Sequence, residues 1–228
     1  MAKEKELSAF LSALGIDQFC AGDISTIKKD FPLAKEMELS GIDHALVMAF
    51  PLVSSVLDGI VDRPTLLYKH LYRQVNNLLD RAALLLSRWI EEQGEKAIPI
   101  PASQIYDWEK NIGHLSHRQV AVELGLGWYG RNNLLVTEKY GSQVRLATIL
   151  TSMKLDMPGP VKGKKPDCSS CADCVSACPV AAIHTGPEDF DRKACFAKTK
   201  EFEKIRGISV GICGICVRAC KGRKRAAP

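Results

Sequence analysis

The sequence predicts a mixed helix-and-sheet core followed by a small cysteine-rich domain, and three observations carry that prediction. An apolar run of strand length, HALVMAFPL, stands at residues 44–52. The stretch after residue 64 repeats apolar residues at helical spacing. Eight of the nine cysteines fall after residue 167, beyond a Pro- and Gly-rich stretch, PGPVKGKKPD, that reads as a linker. The expected division is a core of residues 1–157 and a cysteine domain of residues 158–228. At 228 residues, 46% hydrophobic and 25% charged, the chain has the composition of a globular protein that buries a core.

Residues 1–40 read as short amphipathic helical pieces, with Cys20 as a small buried hydrophobe. HALVMAFPL makes a buried strand that Pro51 ends. After the turn residues DRP at 62–64, apolar side chains recur at Leu67, Leu71, Val75, Leu78, Ala82, Leu85 and Trp89. Pro64 suits a first turn and Gly94 a C-terminal stop, so a helix of about 28 residues follows. AIPIPAS, 97–103, reads as a short strand running into a loop, because two prolines forbid helix and suit an edge or a strand end. Ser116 and Gln119 form a capping box ahead of QVAVEL, and Gly125 ends that short helix. NLLVT at 133–137 and QVRLATILT at 143–151, joined by EKYGS, predict a hairpin.

The cysteines carry the most specific chemical signal. Thiolate sulfur binds iron in sulfide clusters or zinc, and zinc sites group their ligands as two close pairs. Here CSSCADCVSACP, 168–179, is the bacterial ferredoxin run C-x2-C-x2-C-x3-C-P, whose fourth cysteine ligates the other cluster in two-cluster proteins. Two 4Fe–4S clusters are expected, one on Cys168, Cys171, Cys174 and Cys220, the other on Cys178, Cys195, Cys213 and Cys216. Cys-x-x-Cys-x-x-x-Cys at 171, 174 and 178 recurs at 213, 216 and 220, with a helical insertion, FAKTKEFEKI, ahead of the second copy.

Such thiols belong in a reducing compartment, and no membrane span or leader pattern is read, so a cytoplasmic protein is expected. Residues 1–160 carry 17 Lys and Arg against 19 Asp and Glu, and residues 161–228 carry 14 against 7. The C-terminal excess reads first as counter-charge to bound clusters plus a solvated tail. Attraction of phosphates to KGKK at 162–165 and KGRKR at 221–225 is the second reading.

The segment HLSHRQVAVELGLGWYGRNNLL, 114–135, offers glycines for close backbone approach and flat apolar faces at Trp128 and Tyr129. GLGWYGRNNLLVTEKYGSQVRLATILT followed by the eight cysteines in this order resembles the epoxyqueuosine reductase family, over roughly residues 41–220. That resemblance implies an α+β fold with a nitroreductase-like α/β core and a C-terminal two-cluster ferredoxin-like domain. It implies cobalamin beside the two clusters, and a corrin or substrate pocket lined by Gly125, Leu126, Gly127, Trp128, Gly130, Asn132 and Asn133. The family acts on a modified nucleoside in tRNA.

This sequence departs from the family in three places. Pro101, Ala102 and Ser103 stand where the family has its proton-donating aspartate. Tyr68, His70 and Tyr72 stand where it has its signature before the long helix. No helical-repeat extension of the kind that follows the clusters in the family is expected here. Tyr106, Asp107, Glu109, His114 and His117 are therefore the candidate substitutes for the missing acid, with helix-end and surface roles as their alternative.

The expected function is an iron–sulfur oxidoreductase that passes electrons to a cobalamin or a small substrate in the core. The alternative is a ferredoxin-type electron-transfer subunit with no substrate of its own, and the third reading is an RNA-binding member of queuosine metabolism. An external donor such as reduced ferredoxin or flavodoxin is the expected partner, with tRNA and membrane not expected.

Overall fold

The computed structural model describes residues 2–107, 109, 112–161 and 167–222. In chain order its elements are α1 (Ala2–Ala13), β1 (Gln18–Asp23), β2 (His44–Pro51), α2 (Ser54–Asp58), α3 (Leu66–Glu92), β3 (Ala97–Ile100), α4 (His117–Glu123), β4 (Trp128–Tyr129), β5 (Leu135–Val136), β6 (Val144–Thr151), α5 (Asp173–Ala177), α6 (Arg192–Glu203) and α7 (Ile215–Ala219). The residues gather into two compact units, 1–50 with 75–126 and 145–162, and 51–74 with 127–144 and 163–228. Two upstream stretches thus share a unit with the cysteines.

The first unit is built on a four-stranded sheet in the order β1-β2-β6-β3. Ala45 to Ala49 of β2 are all fully buried, which is why that strand reads as an unbroken apolar run rather than an alternating one. Strand β3 is an edge, where the missing N–H of Pro99 costs no ladder bond, and it pairs antiparallel with β6. Strand β1 corrects the helical expectation for residues 1–40. QFCAGD pairs antiparallel with β2, setting Cys20 opposite Val47. Cys20 is buried, and burial pushes its thiol up to about 12. It is a core residue.

Helix α3 runs as expected, but its buried stripe is rotated. Val75, Leu79, Ala82, Ala83, Leu86 and Ile90 are buried, whereas Leu67 and Leu85 are exposed. The sequence contains two overlapping apolar stripes one position apart, and packing chooses between them. Its N-terminal cap is Thr65, whose hydroxyl accepts the Tyr68 amide at 3.0 Å, so Pro64 precedes the helix. Helix α4 begins where the capping box places it: Ser116 Oγ accepts the Gln119 amide at 3.3 Å. Gly125 follows it at φ 80°, the left-handed position that ends such helices.

The 133–151 hairpin does not form. Strand β5 pairs with β4, with Trp128 opposite Val136, and β6 pairs in the main sheet. Residues 137–141 instead close a tight turn in which Thr137 and Gly141 exchange backbone bonds of 2.9 and 3.0 Å.

The second unit contains two similar cysteine turns. Helices α5 and α7 pack on one another, and α2 packs on α7. Each of α5 and α7 spans five residues with a cysteine second, Cys174 or Cys216, and each ends on an extended cysteine, Cys178 or Cys220. The repeat in the sequence is thus a repeat in structure. The insertion ahead of its second copy is α6, capped by Asp191, whose carboxylate accepts the Ala194 amide at 2.9 Å. Among the described residues no helix is long and apolar enough to cross a membrane.

Candidate functional site

The eight clustered cysteines are all free thiols, and the first run and the second face one another's cysteines. Burial, and after it repulsion from the thiolates of Cys220, Cys168 and Cys171, pushes the Cys174 thiol up to about 11. Burial, then repulsion from Cys213 and Cys178, pushes Cys195 up to about 11. Burial again leads for Cys216, which is raised well above its ordinary value, followed by repulsion from Cys213, Cys195, Cys174 and Cys178 in that order. Cys220 therefore faces the first run across the chain, and Cys178 faces the second. Among the described residues, no three His, Cys, Asp or Glu side chains converge tightly enough to hold a single metal ion.

The backbone fixes these cysteines from upstream as well. The Ser142 amide donates to Cys220 Sγ at 3.3 Å, and Gln143 Nε2 donates to the Arg218 carbonyl at 2.9 Å. A Cβ on Gly141, which sits at φ 58°, would collide with the Cys220 carbonyl oxygen and the Gly222 amide nitrogen. Arg131 Nη2 reaches the carbonyl of Ser169, next to Cys168, at 2.8 Å. The Ala182 amide donates to Cys178 Sγ at 3.3 Å. None of Gly141, Ser142 or Arg131 was singled out from the sequence. A glycine in a short polar turn was the available signal, but its partner lies some eighty residues downstream.

The residues read as pocket lining, 125–133, are mostly engaged within their own units. Leu126, Trp128 and Asn132 are buried. Asn132 Nδ2 donates to Ser142 Oγ at 3.0 Å, and its carbonyl oxygen accepts the Leu134 amide at 3.3 Å. A Cβ on Gly127 would strike the Val136 carbonyl, one on Gly130 would come within 2.6 Å of Val136 Cγ2, and one on Gly125 within 2.7 Å of the Val161 carbonyl. Gly125 and Gly127 let neighbouring backbone pass closely, and Gly130 makes room for the Val136 and Asn132 side chains. Asn133 occupies the left-handed region at φ 55°.

A cleft of about 200 Å³ lies in the first unit, lined by residues of 100–105 together with Ile112, Gly113, His114, Leu115 and His117. It contains Pro101, Ala102 and Ser103 and two of the proposed substitutes. His117 is pinned on both sides, with Nε2–H donating to the Pro101 carbonyl at 2.9 Å and Nδ1 accepting from Thr148 Oγ1 at 2.8 Å. Burial pushes its pKa down to about 4, with the Arg145 charge adding to the effect and the Pro101 bond opposing it. The ring is therefore neutral at pH 7, with its single proton on Nε2.

His114 differs: its Nε2 lies 3.4 Å from Glu36 Oε2, while its Nδ1 is buried without a hydrogen-bond partner. The Tyr106 ring lies tilted against it, with centroids 5.2 Å apart. Asp107 turns back on its own loop, its carboxylate accepting the Glu109 amide at 3.0 Å, and Glu109 is exposed. Sequence reasoning missed Asp80 and Arg145, which hold the loop wall. Asp80 Oδ1 accepts the Ala102 amide at 2.7 Å, and Arg145 donates to the Ala102 carbonyl at 3.0 Å and to Asn76 at 2.9 Å. The basic run at 162–165, and residues 223–225 of the run at 221–225, lie outside the described residues.

No protein-family profile matches the chain. The epoxyqueuosine reductase of Gloeobacter violaceus is 31% identical over 167 residues, which cover 68% of this chain and 48% of that protein. The chain thus spans about half the length of that curated relative. A solved epoxyqueuosine reductase with a tRNA-Tyr epoxyqueuosine-modified stem loop aligns at TM-score 0.58 and 19% identity, over 86% of this chain and 56% of that one. A reductive dehalogenase, described for B12-dependent dehalogenation, aligns at TM-score 0.69 and 15% identity, over 94% of this chain and 31% of that one. These structural likenesses are likenesses of fold, a mixture of helix and sheet.

Proposed function

The chain belongs to the epoxyqueuosine reductase-like family, and from that premise we propose that it is an iron–sulfur oxidoreductase. Cys168, Cys171, Cys174 and Cys220 would hold one 4Fe–4S cluster and Cys178, Cys195, Cys213 and Cys216 the other. The observation that carries this reading is the crossed facing of the thiols: Cys220 stands with Cys168 and Cys171 against Cys174, and Cys178 stands with Cys213 against Cys195. Thiols that oppose each other's ionisation are reconciled by a bound cationic metal core, since ligation deprotonates them. The spacing of the run at 168–179, three cysteines within seven residues and a fourth followed by proline, suits an iron–sulfur core better than the paired ligands of tetrahedral zinc. Clusters so held would relay single electrons from an external carrier such as reduced ferredoxin or flavodoxin. A cytoplasmic setting, where thiols stay reduced, suits this ligand set.

Within the proposal, residues 1–157 act as a nitroreductase-like α/β core and 158–228 as a ferredoxin-like cluster domain. The cleft beside His114 is the proposed substrate site. With the family aspartate replaced by Pro101, Ala102 and Ser103, His114 is the group best disposed to hand on a proton, because its Nδ1 is unspent and Glu36 stands behind its Nε2. His117 then orients the cleft wall, and Tyr106 supports the His114 ring. A modified nucleoside, the substrate class of the relatives, or another small electrophile is the proposed substrate. The donor set for cobalamin fits less well, since Gly125 and Gly127 are closed by the chain's own backbone, Gly130 by the Val136 and Asn132 side chains, and Asn132 is already bonded.

That same closure favours a second reading, an electron-transfer subunit without a substrate. Anaerobic reconstitution followed by titration with cob(II)alamin separates the two. Both readings require about eight iron and eight sulfide per chain. A cobalt resonance shifted to the base-off form supports the oxidoreductase with a corrin acceptor. Turnover of an epoxyqueuosine-modified stem loop without such a shift supports a direct substrate in the cleft. Neither result, with both clusters reducible, leaves the electron-transfer subunit.

A further inference from the structure

Four large apolar side chains stand exposed in one short stretch of the second unit: Val53 at 50%, Val61 at 72%, Leu66 at 60% and Leu67 at 61%. Clusters of this kind on a folded surface mark contact sites more often than chance does. What lies beneath them is specific. Tyr68, 4% exposed, sets its ring on Gly214, the residue after Cys213, so that a Cβ there would come within 2.7 Å of Tyr68 Cε1. Ile60 meets the same glycine at 2.8 Å. Leu66 covers Gly207, and Lys69 Nζ donates to the Gly207 carbonyl at 2.5 Å. Helix α2 packs on α7, which carries Cys216. The apolar face is therefore one residue layer away from Cys213 and Cys216.

Charge around the face is predominantly basic. Arg73, Lys204 and Arg206 are exposed, and exposed Arg63 lies 3.9 Å from the more exposed Asp62. Asp58 is the other exposed acid of the stretch. Glu201 and Glu203 are matched by Lys198 and Lys200 at 2.7 and 2.8 Å. An apolar centre with a net basic rim is complementary to an acidic surface, and such rims govern encounter rate and choice of partner.

We propose that Val61, Leu66 and Leu67, with the rim of Arg73, Lys204 and Arg206, form the docking face for a small acidic one-electron carrier protein. The proposal rests on the oxidoreductase reading above, and it adds the place of entry. Each docking transfers one electron, oxidising the carrier by one equivalent and reducing the protein by one, so a two-electron reduction takes two dockings. Affinity is modest and falls with salt, as suits a carrier that must leave again.

The test uses the full chain, reconstituted without oxygen, and a plant-type 2Fe–2S ferredoxin of net negative charge as probe. Binding is measured by calorimetry at low and at physiological ionic strength. Arg73→Glu combined with Arg206→Glu is expected to weaken binding about tenfold or more at low salt and to flatten the salt dependence. Leu67→Gln is expected to weaken it at both salts, while Leu84→Gln, at an exposed position in the first unit, leaves it unchanged. Equal binding by all variants, or no binding at low salt, overturns the proposal. So does self-association of the chain through this face in sedimentation, or displacement of the ferredoxin from it by tRNA. Iron and sulfide content is read on the same samples. Its failure sinks the oxidoreductase reading, whereas intact clusters with no face-dependent binding sink the docking face alone.

Discussion

His117 and Pro101 are joined by a ring N–H to carbonyl bond of 2.9 Å, and the opposite ring nitrogen takes the Thr148 hydroxyl at 2.8 Å. The imidazole is thereby a neutral strut between α4, β6 and the loop after β3. Burial lowers its pKa from 6.5 to about 4. The unfolded chain therefore takes up a proton first as pH falls. The stability tied to the neutral ring is complete above about 6.5, is lost as pH drops toward about 4, and amounts to roughly 3 kcal/mol at most. Urea midpoints of the wild type should fall across that window. His117→Asn should be less stable at pH 7 yet show a shallower fall, and parallel curves would exclude His117 as the titrating group.

Cys178 belongs to the first cysteine run in sequence but faces Cys195, Cys213 and Cys216 in the fold. Cys178→Ser and Cys213→Ser should therefore disturb the same paramagnetic signal, and Cys168→Ser and Cys220→Ser the other. Each single change should lower iron from about eight to about four per chain. Pairing of Cys178→Ser with Cys168→Ser in the spectra would mean that ligation is not crossed.

Gly141→Ala places a methyl where the Cys220 carbonyl and Gly222 already stand, on a backbone that L side chains rarely adopt. A loss of more than about 2 kcal/mol is expected, with a specific drop in occupancy of the Cys220 site. Gly41→Ala, also at positive φ but with open space around it, is the control for backbone strain alone. Equal losses for the two would remove any special role for the contact with Cys220.

Asp80→Ala strands the Ala102 amide, which is 5% exposed as a residue and bonded only 2.7 Å from that carboxylate. The cost should be about 1–3 kcal/mol. Amide hydrogen exchange at residues 102–104 should quicken in the variant while exchange in β2 stays slow. Unchanged exchange at the loop would place its anchor elsewhere, at Arg145.

What could be read ahead of the structure was what local rules decide. Ser116 and Gln119 announce α4 because a cap acts over three residues, and the two cysteine turns repeat because each closes within eight. The misses are all non-local. QFCAGD becomes a strand only because β2 lies beside it, and β5 finds a two-residue partner, Trp128–Tyr129, too short to signal itself. Leu79 rather than Leu78 lines the core because the sheet, and not the helix, selects between two adequate stripes. Around the cleft, the family resemblance pointed to the loop at 101–103, but nothing within that loop foretold Asp80 or Glu36, which come from other elements.

The facing of Cys174 by Cys220 has a bearing on how the protein is made. The first three thiols of that group leave the ribosome well before the fourth, and Cys178 likewise waits for Cys195, Cys213 and Cys216. On the ligand assignment proposed, neither centre can be completed on a nascent chain that stops short of its last cysteines. Iron loading would then wait until Cys220 has been made, and a chain truncated before residue 213 would be expected to be a substrate for proteolysis rather than a half-loaded protein.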